Sequence, residues 1–284
     1  MDIYVTSAFS KNNSGGNKAG VVFDSFNLTT KQKMEIAKEL GFSETAFLSG
    51  SQVADVRLQY FTPTEEVPLC GHATIAAFST LRLLNKLNKQ NYTIETEAGI
   101  LHIKIKKDGL ILMEQNCPTY FDILDANLLK NCMENHFIKH DLPIQIISTG
   151  LKDIMLPIRS AEYLQQMTPD YEGIAALCKK RNVVGIHAFT LTERSDVIAI
   201  CRNFAPLYGI DEESATGTAS CALACYLFKY YQKQEQYIFE QGHNLGEISR
   251  IVVNITYHKD CIESVYVGGY GNLLCQKKVS ISGK

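Results

Sequence analysis

No two of the nine cysteines form a Cys-x-x-Cys pair, and no cysteine–histidine set has the spacing of a structural zinc site. An odd number without such pairs argues against a disulfide framework and gives no reason to expect a metal. The cysteines read instead as reduced thiols, most of them packed as small apolar side chains. A basic surplus is lacking too: 28 Lys+Arg against 30 Asp+Glu leave a net charge of −2, which argues against a nucleic-acid partner. The local basic group of Lys86, Lys89, Lys104, Lys106 and Lys107 alternates in its second half with Ile103 and Ile105, as the solvated face of a strand does. No apolar run approaches the ~20 residues that cross a bilayer. The opening MDIYVTSAF alternates like a strand and lacks the charged-then-apolar pattern of a secretory signal. The expectation is a soluble cytoplasmic protein with neither membrane nor nucleic acid as partner.

What is present is an ordinary globular balance, 45% hydrophobic and 20% charged over 284 residues, enough for one long domain or two ordinary ones. The chain also echoes itself. Residues 58–84 and 200–228 each begin with an apolar strand ending in Phe-x-Pro, at Phe61 to Pro63 and Phe204 to Pro206. Each continues through an acidic loop to a Gly-centred turn, Cys70-Gly71-His72 or Thr216-Gly217-Thr218, and then into small and apolar residues. Downstream, Tyr92 to Glu95 answers Tyr237 to Glu240; upstream, Thr45 to Leu48 stands where His187 to Thr190 stands in the second copy. Order and spacing hold over about 60 residues, the mark of an internal repeat. Two similar lobes follow, residues 1–116 and 117–264, with turn formers around 115–145 at the join. A final strand near 265–280 is expected to return to the first lobe.

Thr29 or Thr30 can cap a helix running to Leu40, with Gly41 as its left-handed stop, and strands dominate elsewhere. Ala73 to Leu84 and Ala219 to Phe228 are small or apolar on almost every side, and a helix without a polar face must be surrounded. The predicted class is α+β: two pseudo-symmetric lobes, each a curved, barrel-like mixed β-sheet wrapped around a central helix, with the active site in the cleft between them.

A buried helix leaves four first-turn N–H groups without intrahelical partners, and the dipole there favours an anion. Gly71 and Gly217 allow close backbone approach at those two starts. A substrate carboxylate held there is one reading; the other is an ordinary strand-to-helix turn with Thr216 or Thr218 as N-cap. His72, Glu213 and Glu44 sit in or beside the same motifs. Glu44 lies in the apolar stretch Gly41 to Leu48, where desolvation would raise a carboxylate toward the range of a general base. Each also has a structural reading: hydrogen-bonding histidine, dipole partner in solvent, strand-edge carboxylate.

With these residues laid out, the chain resembles the PhzF-like family of phenazine biosynthesis, which shares the diaminopimelate epimerase-like fold. The resemblance rests on Gly16-Asn17 with Ala19 to Val22, Phe42 to Thr45, Phe61 to Pro63, Cys70 to Thr74, Phe204 to Pro206, Glu213 to Thr218, and Gln241-Gly242 with Gly246. It implies that Glu44 is the general base, then acid, of a cofactor-free proton shift, such as the family's isomerisation of dihydro-hydroxyanthranilate. It implies further that His72 contacts the substrate and helps to handle protons, and that Glu213 assists. The amides near Gly71, His72, Gly217 and Thr218 would bind a small carboxylate-bearing metabolite, with no metal. Where the family has Asp-Pro-x-Thr-Gly-Ser, this chain has Glu213-Ser214-Ala215-Thr216-Gly217-Thr218, so the loop is expected to be more mobile and the native substrate is left open. Lys18 likewise replaces a frequent proline.

Racemases of the same fold use two facing cysteines. Cys70 occupies the first place, but the second falls near Ala215 or Thr216, and Cys221 and Cys225 read as packing. Cys70 is therefore expected to be a bystander or minor contact. A binding protein without catalysis and a cysteine-dependent racemase remain as alternatives, and the oligomeric state is open, a homodimer among the choices.

Overall fold

The computed structural model of the chain describes residues 2–278. They form a mixed α+β structure with many short strands and few helices, and the chain divides into two compact units. The first is Met1–Glu114 with Gly268–Lys284; the second is Gln115–Val267.

The first unit opens with β1 (Asp2–Ala8) and β2 (Asn17–Val22), an antiparallel pair. Helix α1 (Thr30–Leu40) then carries the chain over to β3 (Thr45–Ser49), which runs parallel to β2. Thr29 caps α1 with a capping box, and Gly41, at φ 70°, ends it. Ile36, Ala37 and Leu40 bury one face of α1 against Ile3, Val22, Phe47 and Phe61. Lys33 lies on that buried face too; its amine donates to Gln59 Oε1 at 2.6 Å and sits 5.6 Å from the Phe61 ring centroid, so the charge is partnered rather than stranded.

Strand β4 (Val56–Phe61) pairs antiparallel with β3 and with β5 (Glu66–Val67). Helix α2 (Gly71–Leu83) follows, then β6 (Asn91–Thr96), parallel to β4. Strands β7 (Gly99–Ile105) and β8 (Ile111–Gln115) complete the antiparallel run. Every residue of α2 from His72 to Thr80 is buried, and the helix packs on β1, β2 and β3. Its two buried threonines are satisfied locally: Thr80 Oγ1 donates to the Ala76 carbonyl, and Thr74 Oγ1 donates to the Cys70 carbonyl and meets Tyr60 Oη at 2.6 Å.

In the second unit, β9 (Thr119–Leu124) pairs antiparallel with β10 (Ile144–Ser148), and β10 with β11 (Lys152–Pro157). Helices α3 (Ala161–Gln166) and α4 (Tyr171–Arg181) lead to β12 (Gly185–Leu191), parallel to β11. Strands β13 (Ala199–Ala205) and β14 (Ile210–Glu213) continue antiparallel. Helix α5 (Gly217–Tyr230) precedes β15 (Gln236–Gln241), which is parallel to β13 and antiparallel to β16 (Ser249–His258). The order of parallel and antiparallel pairings in the first unit thus recurs in the second. Residues Ala219 to Phe228 of α5 are all buried, and α5 packs on β10, β11 and β16.

Two features depart from the sequence expectation. Helices α3 and α4 stand in a stretch read as strand-rich; Ser160 and Asp170 cap them, accepting from the amides of Tyr163 and Gly173. The final stretch is two strands, not one: β17 (Cys261–Gly269) and β18 (Asn272–Lys278), the latter antiparallel to β1. Residues 279–280 of the expected strand lie outside the described residues. Six cysteines are buried; Cys117, Cys261 and Cys275 are exposed.

Candidate active site

Glu44 is set by the close meeting of α1, β2 and β3. Gly20 on β2 pairs with Thr45, and a Cβ on Gly20 would lie 2.5 Å from Leu40 Cδ1 and 2.8 Å from Thr45 Oγ1. The absence of a side chain there lets the end of α1 and the start of β3 close up, fixing the residue between them. Glu44 Oε2 then lies 3.3 Å from His72 Nε2. The Glu44 side chain is 21% exposed, so the apolar setting read from its neighbours is partial. Oε2 itself is shielded from solvent and makes no well-aligned hydrogen bond.

His72 occupies the first turn of α2 and is 7% exposed. Burial holds its imidazole below the ordinary histidine value, and the Glu44 carboxylate pulls it partly back up. Cys70, the N-cap, is extended (φ −139°), and its side chain does not cap the helix. Its Sγ turns to the imidazole instead, 3.4 Å from Nδ1. One donor atom from each of Glu44, Cys70 and His72 falls within 4.8 Å of the others. Cys70, expected from sequence to be a bystander or minor contact, thus stands in contact with His72 and close to Glu44.

Glu213, Gly217 and Thr218 belong to the second unit. Glu213 ends β14, and its Oε2 accepts from Thr216 Oγ1 at 2.5 Å. Thr216 is the N-cap residue of α5, but its hydroxyl is turned to Glu213 and does not cap the helix; neither α2 nor α5 has a side-chain cap. The loop between Glu213 and Gly217 is held by Gln241. The Gln241 amide donates to the Glu213 carbonyl (2.7 Å) and to Thr216 Oγ1 (3.1 Å), and accepts from the Thr216 amide (3.2 Å). The neighbouring Gly242, at φ 86°, leaves no room for a Cβ, which would meet the Glu247 carbonyl oxygen at 2.3 Å. Loss of proline at Ser214 thus coincides with a loop tied down by a buried amide.

Sequence reasoning missed Asp153. It lies on β11, 2% exposed; burial first, and then the negative charge of Glu213, push it up to about 7. His187 on β12 is fully buried, donates or accepts at Nδ1 with Asn203 Oδ1 (3.0 Å), and is drawn down to about 4 by burial. The signal was a lone acid in the apolar run Ile154 to Ile158 and its lead-in, Leu151-Lys152-Asp153. A hollow of about 200 Å³ in this unit, lined by Leu128, Cys132, Gly173 and Arg181, contains none of these residues.

The fold is similar to that of a hydroxyproline epimerase from Agrobacterium vitis, which matches with a TM-score of 0.64 over 98% of this chain and 90% of that one, at 11% identity. Within that fold, the chain belongs to the phenazine biosynthesis-like (PhzC-PhzF) family, whose model matches residues 6–276. A crystal structure of the Bacillus anthracis phenazine biosynthesis protein of the PhzF family matches with a TM-score of 0.91 at 31% identity, covering 99% of both chains. An uncharacterized isomerase of Clostridium acetobutylicum is 34% identical over 264 residues, 85% of this chain and 87% of that protein. Among the described residues no helix is long and apolar enough to cross a membrane.

Proposed function

We propose that this chain is an isomerase that moves a proton on a small carboxylate-bearing metabolite without a cofactor. Glu44 acts as base and then as acid. The observation that carries this reading is the Glu44 Oε2–His72 Nε2 approach of 3.3 Å at the start of a buried helix. A carboxylate beside an imidazole that burial keeps neutral can pass a proton without creating a second charge. His72 orients the substrate and partners the proton, and the amides of Gly71 and His72 bind a carboxylate at the positive end of α2. In the second unit we assign Glu213 to proton handling and the amides of Gly217 and Thr218, at the start of α5, to binding an anion. A two-cysteine racemase is not favoured, because Thr216 offers a hydroxyl already engaged with Glu213 and Ala215 offers no acid at all.

The test is a panel of small carboxylic acids, among them cyclic dienes and hydroxyproline, incubated with the protein in D2O and followed by NMR. Deuterium should enter one of them at carbon, and Glu44→Gln should slow that exchange by about 10²–10⁴ with the fold unchanged by circular dichroism. Exchange at the same rate in the variant would remove Glu44 from the mechanism. Tight binding with no exchange would favour a binding protein.

A further inference from the structure

The three side chains that meet in the first unit bring together thiol, imidazole and carboxylate, the donor set of a borderline-soft cation. We propose that Glu44, Cys70 and His72 form a binding site for a divalent ion of the zinc type. Tetrahedral zinc with Zn–S near 2.3 Å and Zn–N and Zn–O near 2.0–2.1 Å places nitrogen and oxygen ligands about 3.3 Å apart, and sulfur about 3.6 Å from either. Nε2 and Oε2 already stand 3.3 Å apart. Sγ is 3.9 Å from Nε2, so a few tenths of an ångström complete that edge. The third edge, Sγ to carboxylate, lies within 4.8 Å and closes by rotation of the Glu44 side chain, which is partly exposed and free of a well-aligned hydrogen bond at Oε2.

Cys70 and His72 are each 7% exposed and sit at the N-cap and in the first turn of the buried helix α2, so two of the three ligands are pre-positioned. The third is a carboxylate oxygen shielded from water without a bonded partner, a group that a cation would satisfy. Three protein ligands leave a coordination position for water or a substrate carboxylate. Binding releases the thiol proton to solvent and forms the metal–thiolate bond. Magnesium and calcium, which demand oxygen ligands, do not fit this set. Sequence spacing gave no warning, because Glu44 comes from the loop before β3, remote along the chain from the Cys-x-His of α2. An ion here would also withdraw Glu44 and His72 from proton transfer. That consequence rests on the function proposed above; the binding does not.

Cobalt(II) is the probe, titrated into chelator-treated full-length protein with a phosphine reductant. One equivalent should saturate a sulfur-to-cobalt charge-transfer band, and a large excess of magnesium should leave it in place. Cys70→Ser should abolish the band while the three exposed cysteines remain. Glu44→Gln and His72→Gln should weaken binding at least about tenfold, and Glu213→Gln should leave it unchanged. A band of full strength in Cys70→Ser, or no band in the unaltered protein, overturns the proposal. Zinc K-edge absorption on the unaltered protein needs no variant: one sulfur among nitrogen and oxygen neighbours supports the site, and a shell without sulfur overturns it. Absence of proton exchange in the assay above would count against the proposed function and leave both metal readouts where they are, so the two proposals fail separately.

Discussion

His72 shows how one residue position sets a chemical property. Its ring is buried because α2 has no polar face, and burial disfavours the charged imidazolium. Glu44 opposes that effect, so the two residues tune each other. The histidine should titrate below its ordinary value of about 6.5 in the intact protein. Replacing Glu44 by Gln removes the one negative charge that raises it, so the midpoint should fall further. Two-dimensional NMR of the imidazole signals in the two proteins measures this directly and needs no substrate. A midpoint that rises in Glu44→Gln would mean that the carboxylate does not face the ring.

At the scale of elements, the two helix starts are held by different devices. In the first unit, Gly20 permits the approach that fixes Glu44. Gly20→Ala forces a methyl against Leu40 and Thr45 and should cost about 1–3 kcal/mol, read as a lower urea midpoint. In the second unit Gln241 ties the loop to α5. Gln241→Leu removes the bonds this side chain makes with the Glu213 carbonyl and the Thr216 amide, at a cost of about 0.5–1.5 kcal/mol for each bond lost. Amide hydrogen exchange should then speed up at residues 214–217 while α2 stays protected; unchanged exchange would show that the loop holds itself.

Much of this scale was legible in the chain. Thr29, Gly41 and the polar-free runs after Gly71 and Gly217 marked α1, α2 and α5, since capping and all-round apolarity are local signals. Helices α3 and α4 were not, because Gly173 interrupts α4 and α3 is six residues long, too short for a period to show. Within the site, His72 and Glu44 could be named from motifs. The involvement of Cys70 is different: it depends on which way an N-cap side chain turns, and that is set by packing around the helix start.

For the molecule as a whole, two buried ionisable groups of the second unit oppose each other across mildly acidic pH. His187 is drawn down to about 4 in the fold, against about 6.5 in an open chain. The stability this represents is complete above about pH 6.5 and is lost as pH falls toward 4. Asp153 is pushed up to about 7, against about 3.9 unfolded. Its contribution is complete below pH 3.9 and is lost as pH rises through about 7. Each effect is on the order of a few kcal/mol, and over the shared window of pH 4 to 6.5 they nearly cancel. The protein's stability should therefore change little from this pair until one member is removed. Asp153→Asn should gain on the unaltered protein steadily from about pH 4 to about pH 7 and then level. His187→Gln should gain on it in the opposite direction, as pH falls through the same range. Because the Glu213 charge also raises Asp153, Glu213→Gln should move the Asp153 midpoint to lower pH. Urea unfolding of the four proteins at several pH values separates these limbs. A stability difference between Asp153→Asn and the unaltered protein that does not vary with pH would mean that Asp153 is ionised alike in the folded and unfolded chain, and that its burial carries no charge penalty.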